Sequence, residues 1–108
     1  MTEYLLIESR SPSESGDVAQ GYALAAALAA HGARVTLFLV QNGVLSARRG
    51  ARAEGLEPAI RAGVTVLADD FSLRERGIPP DRLATRIAPA PLEIVIDRLA
   101  DGARTLWN

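Results

Sequence analysis

No cysteine occurs in this 108-residue chain, and no lysine. The first absence excludes disulfides, Cys-ligated zinc, iron–sulfur clusters and a thiolate nucleophile. The second excludes a phosphate loop built around Gly-Lys-Ser/Thr, and no Gly-x-Gly-x-x-Gly dinucleotide fingerprint takes its place. An excess of one charge is also missing. Twelve basic and 13 acidic residues leave a formal charge of −1, so no overall field draws in nucleic acid or anionic lipid. The first ten residues lack the charged start and apolar stretch of a signal peptide. The longest weakly polar stretch, residues 21–30, is about half of what a membrane span needs. The default expectation is a cytoplasmic protein with neither membrane nor nucleic acid as partner. Histidine is nearly absent as well. His31 alone is expected at the last turn of a helix, where the dipole favours a cation, and it supports no Ser-His-Asp triad.

What is present is globular. Hydrophobic residues make up 48% and charged residues 23%, a balance that folds rather than stays disordered. The length suits one domain over residues 1–108, which buries roughly two-thirds of its unfolded surface. All 12 basic residues are arginine. Guanidinium forks suit carboxylates and phosphates, although compositional bias is the plainer reading.

The apolar run Tyr4 to Glu8 reads as a buried strand, and the Ser/Pro/Gly-rich segment Ser9 to Gly16 as a loop. Asp17 with Gln20 three residues on forms a capping-box pattern for a helix reaching about His31, with Gly32 as its stop. Val18, Tyr22, Ala25 and Ala29, with Leu24 and Leu28, are expected to form its apolar face. Arg34 to Val40 is β-branched and apolar nearly throughout, as expected of a central strand covered on both sides. Leu45 to Gly55 reads as a mobile or partly helical loop. A helix is expected over Leu56 to Ala62, a strand over Val64 to Ala68, and short helical pieces over Ser72 to Arg76 and Asp81 to Ala84. Pro91 introduces a helix from Leu92 to Ala100, and Arg104 to Trp107 closes with a strand. Strands alternating with helices imply parallel pairing through right-handed crossovers. With four strands, at least one sheet edge is expected to be covered by a partner.

Ligands of open α/β sheets bind beyond the carboxyl ends of the strands. That rule selects Ser9 to Gly16, Gln41 to Ser46 and Ala68 to Ser72. The candidate ligand-binding residues there are Ser11, Ser13, Gly16, Asn42, Gly43, Asp69, Asp70 and Ser72. Asp69 and Asp70 stand adjacent as a carboxylate pair, yet capping of a following helix by one of them is the plainer role. Arg48, Arg49 and Arg52 are candidates for contact with an acidic partner surface. No catalytic residue, metal site or cofactor is expected.

The opening YLLIESRSP, the alanine-rich helix after it and the segment HGARVTLFLVQNGV resemble the DsrE/DsrF/DsrH-like family of sulfur-relay proteins, whose relatives include the bacterial TusBCD proteins. GVTVLADDFSLRERGI resembles that family's third strand and its Leu-x-x-Arg-Gly-Ile segment. The likeness runs from Tyr4 to about Ile78, and the final TLW is similar to a typical closing strand. It implies a small doubly wound, flavodoxin-like α/β fold with a mostly parallel sheet of about four to five strands flanked by helices. It also implies trimers or hexamers, homomeric or mixed with sulfur-relay proteins, and a role in passing persulfide sulfur. In active members a cysteine follows the third strand. Asp69 and Ser72 stand at the positions where such cysteines occur, and neither a carboxylate nor a hydroxyl carries a persulfide. The resemblance therefore implies an accessory or scaffold subunit without catalysis of its own. The alternative is a small-molecule or anion-binding module, or a repurposed enzyme, using the same loops.

Overall fold

The structure, a computed structural model, describes residues 2–107. Five strands form one sheet: β1 (Glu3–Glu8), β2 (Arg34–Leu39), β3 (Thr65–Asp69), β4 (Ile87–Ala90) and β5 (Arg104–Trp107). Their order is β4-β3-β2-β1-β5, and every neighbouring pair is parallel. The helices are α1 (Asp17–Ala30), α2 (Leu56–Arg61), α3 (Asp70–Glu75) and α4 (Glu93–Ala100), with 3-10 turns at Gln41–Ala47 and Pro80–Arg82.

Alternation along the strands sorts the core into two layers. Leu6, Leu37, Leu39 and Val66 pack with Val18 and Tyr22 of α1, Leu56 of α2 and Leu73 of α3. Leu5, Ile7 and Phe38 point the other way and pack under Ile94 and Val95 of α4. Three helices thus cover one face and a single helix the other. The chain steps from β1 through β4 in one direction, then returns across the sheet through α4 to set β5 beside β1. This is the doubly wound arrangement, and it explains why β1 and β2 are apolar at consecutive positions. Tyr22 is wholly buried and donates its hydroxyl to Ser46 Oγ at 3.0 Å. Burial pushes its phenol above the usual value, and the Ser46 bond offsets part of that.

The two ends of α1 differ in how well the sequence anticipates them. Gly32 takes a left-handed φ of 95° as the helix stops, and the His31 ring Nδ1 lies 2.8 Å from the Ala27 carbonyl. At the amino end the capping box does not form. Asp17 is already the first helical residue, and the cap position belongs to Gly16, with no side-chain cap bond. The Asp17 backbone N–H instead donates to Ser15 Oγ at 3.1 Å. Leu24 is 44% exposed rather than part of the core, because it lies off the Val18–Tyr22–Ala25 stripe that faces the sheet.

The strand at Ile87–Ala90 is the element missing from the sequence reading. Its sequence, IAPA, carries a proline, which argues against a central strand but is tolerated at an edge, where one side of the backbone has no ladder partner. β4 is that edge. The segment Leu45 to Gly55, read as a mobile or partly helical loop, begins in the 3-10 turn that ends at Ala47 and continues through a bridge between Arg48 and Leu83, and the helical piece expected at Asp81 to Ala84 is a single 3-10 turn at Pro80–Arg82. Among the described residues, no helix is long and apolar enough to cross a membrane.

Candidate functional site

Beyond the carboxyl ends of β1, β2 and β3 lies an open cleft of about 570 Å³. Its position follows from the winding. The chain leaves β3 toward the face of α1–α3 and leaves β4 toward the face of α4, so the two connections part and leave a crevice between them.

The cleft is built on the turn from β3 into α3. Asp69 ends the strand in an extended conformation and bends its carboxylate back over the helix start. Asp69 Oδ2 accepts the Ser72 backbone N–H at 3.0 Å and the Ser72 hydroxyl at 2.6 Å. Ser72 Oγ in turn accepts the Gln41 N–H at 2.8 Å. This relay joins the ends of β2 and β3. Both residues are buried, with 6% of Asp69 and 4% of Ser72 exposed. The other carboxylate oxygen, Asp69 Oδ1, is buried with no hydrogen-bond partner.

A second relay forms the rim. Arg76 donates Nε and Nη2 to Asn42 Oδ1 at 3.1 and 2.9 Å, and Nη1 to the Ser72 carbonyl at 3.3 Å. Asn42 Nδ2 donates to Glu14 Oε2 at 3.3 Å, while Glu14 Oε1 accepts the Ser11 N–H at 2.8 Å. The Ser11 amide, then the Asn42 amide, hold the Glu14 carboxyl below its usual value. Three loops distant in sequence are thereby tied together by polar side chains. The cleft carries mixed charge, with Arg10 and Arg76 facing Glu14, Asp69 and Glu75. Phe71, Leu92 and Trp107 line it as well, and they are 57%, 59% and 69% exposed.

Of the residues singled out in the sequence, Asn42, Asp69 and Ser72 meet in this cleft. Ser11 is buried beside it and shares a 2.8 Å hydrogen bond with Ser13. Neither lines the cleft, and Gly16 stands exposed at the start of α1. Gly43 is buried against the end of β1, where a Cβ would overlap the Glu8 carbonyl oxygen. Asp70 turns outward to Arg74 at 3.8 Å. Arg48 and Arg49 face a different cleft, together with Arg76 and Arg82. Arg52 lines a third, beside Glu54 and Glu57. Sequence reasoning passed over Arg10, Glu14 and Arg76. The one signal available was the spacing of Arg76 one helical turn after Ser72.

The chemistry open to this arrangement is limited. Ser72 is neutral and already donates to a carboxylate committed to a helix cap. His31, the sole histidine, ends α1 at the opposite end of the sheet. Among the described residues no group of three or more His, Cys, Asp or Glu is placed to hold a metal ion.

Three comparisons bear on this geometry. A family profile described as the DsrE/DsrF-like family matches residues 3–107. Two solved structures share the fold over the whole of both chains. One is the ychN protein from E. coli, at 20% identity and a TM-score of 0.85. The other is MTH1491 from Methanobacterium thermoautotrophicum, a protein of unknown function, at 16% identity and a TM-score of 0.82. No curated protein matches the sequence.

Proposed function

Because this chain belongs to the DsrE/DsrF-like family and has no cysteine, we propose that it is a non-catalytic, oligomeric accessory subunit in intracellular sulfur transfer. The observation that carries the reading is the Asp69–Ser72 pair. At the end of β3, where active members of the family present a thiol, these two side chains form the cap of α3. The position has become structural, so any part in sulfur relay is indirect and works through assembly. Support for assembly comes from the uncovered apolar side chains. Leu92 at the cap of α4, with Ile96 and Leu99 on it, falls on one stripe, and these residues are 59%, 67% and 52% exposed. Leu106 and Trp107 are exposed on the edge strand β5. Patches of this kind mark interaction surfaces.

Light scattering on the eluting protein is expected to give a trimer or hexamer, alone or mixed with cysteine-bearing relatives captured by pull-down from the source cell. Ile96→Asp with Leu99→Asp is expected to reduce it to monomer. A strict monomer that captures no sulfur-handling partner would contradict the reading.

One observation favours a second reading. The buried, unpartnered Asp69 Oδ1 at the wall of the cleft leaves an acceptor for a ligand that donates an N–H or O–H. On that reading the cleft is a small-molecule site, and Trp107, the single tryptophan, reports its occupancy by fluorescence.

A further inference from the structure

Four arginines surround a second open cleft of about 850 Å³ on the other side of Arg76. They are Arg48 and Arg49 after the 3-10 turn, Arg76 after α3, and Arg82 before β4. No acidic side chain lines this cleft. The ion pairs of the described residues use Arg10, Arg34, Arg61 and Arg74, and the four arginines of the cleft enter none of them. Four guanidiniums outside these ion pairs thus share one concave surface on a chain whose net charge is −1.

Three of them are held in place by neutral partners. Arg48 Nε donates to the Leu45 carbonyl at 2.9 Å and Arg49 Nη2 to the Asp81 carbonyl at 2.9 Å, while Arg76 is fixed by Asn42 and Ser72. Backbone bonds brace the same surface. Arg49 N–H donates to the Arg82 carbonyl at 2.7 Å, and Arg48 bridges to Leu83. Carbonyl partners orient a guanidinium without cancelling its charge, so the remaining N–H groups stay available. The carboxylates adjacent in sequence are Glu75, before Arg76, and Asp81, exposed before Arg82, and neither lines the cleft.

The form of the cleft decides between ligand classes. A single small anion is best held by several backbone amides converging on one point. Here the amides of Arg49, Ala51, Gly77 and Ile78 are already bonded to carbonyls, so recognition falls to side-chain forks spread across an open surface. No aromatic ring lines the cleft to stack a base. Forks distributed along a cleft match a chain that presents carboxylates in series. We propose that this cleft is a docking site for an acidic peptide segment of a partner protein. The proposal stands independently of the sulfur-transfer reading, because it uses neither Asp69 nor the Ser72 hydroxyl and none of the apolar stripe on α4.

The test is fluorescence anisotropy of a labelled polyglutamate peptide titrated with the full chain at low salt, with an uncharged Gly/Ser peptide as control. Binding of polyglutamate alone is expected, weakening steeply toward about 0.5 M salt as screening shortens to a few ångströms. Arg49→Glu with Arg82→Glu is expected to weaken it by about tenfold, since two attractions become repulsions. Among the described residues the Arg82 side chain makes no hydrogen bond or ion pair, so Arg82→Glu alone keeps the test valid if the double variant misfolds, with a loss of about threefold. Arg52→Glu, in the adjoining cleft where Glu54 and Glu57 already stand, is expected to change binding little. Equal affinity of the Arg82→Glu variant and the parent chain would overturn the proposal. So would an equal loss from Arg52→Glu, or displacement of the peptide by inorganic phosphate at equimolar concentration.

Discussion

Asp69→Ala is expected to destabilise the fold by about 2–3 kcal/mol, read from urea denaturation with an unchanged m value. The substitution removes the side-chain cap of α3 and leaves the buried Ser72 N–H and hydroxyl without their shared acceptor. A lost cap costs about 0.5–2 kcal/mol, and a stranded buried donor about 1–3 kcal/mol. The two overlap because one oxygen serves both donors. Asp69→Asn keeps an oxygen at the cap and is expected to cost less, about 1 kcal/mol. Ser72→Ala strands the Gln41 N–H and is expected to fall between them. A variant lacking the Asp69 carboxylate but matching the parent in stability would refute a structural role for this pair. Persistence of a ligand-induced change in Trp107 emission in Asp69→Ala would count against the second functional reading.

Gly43→Ala is expected to cost about 3 kcal/mol, at the upper end of the overpacking range. A Cβ on Gly43 would overlap the carbonyl oxygen of Glu8, which is main chain and not a side chain that can swing away. That carbonyl also accepts the Val40 N–H at 3.0 Å, and β1 is paired on both edges. Neither side of the contact has room to give. Gly16→Ala is the control. Gly16 has an ordinary φ of −67° and nothing within 4 Å of an added Cβ, so alanine there is expected to be neutral or stabilising by up to about 1 kcal/mol. Thermal melts of the two variants side by side measure the difference. Equal melting temperatures would show that the end of β1 yields more readily than its pairing implies.

Gly43 also marks how far the sequence reached toward the site. Its place after an apolar strand was visible, and the loop-end rule assigned it to ligand contact. The need for glycine there arises from the approach of the 3-10 turn to β1, a contact between segments 35 residues apart in the chain that no local pattern encodes. The same holds for Arg76 with Asn42, and for Glu14 with Asn42. Each residue looked like an ordinary polar position until the fold placed three loops together. What was legible followed from periodicity and punctuation. β1, β2, β3 and β5 were set by apolar runs, and the end of α1 by Gly32. β4 escaped because Pro89 hides a short edge strand. Capping by one of Asp69 and Asp70 was legible because an acid ahead of a helical turn has few other local roles, and the fold gives the cap to Asp69. Capping at Asp17 followed the same rule and failed, since the helix begins one residue earlier than the pattern suggests.

The central claim is that the position of the relay thiol has been converted into a helix cap, so that sulfur cannot ride on this chain. The most direct measurement is incubation of the purified protein alone with a radiolabelled sulfane-sulfur donor, followed by non-reducing electrophoresis and intact mass analysis. The account predicts an unchanged mass and no label on the chain. Label bound to the chain and released by a thiol reductant would contradict it.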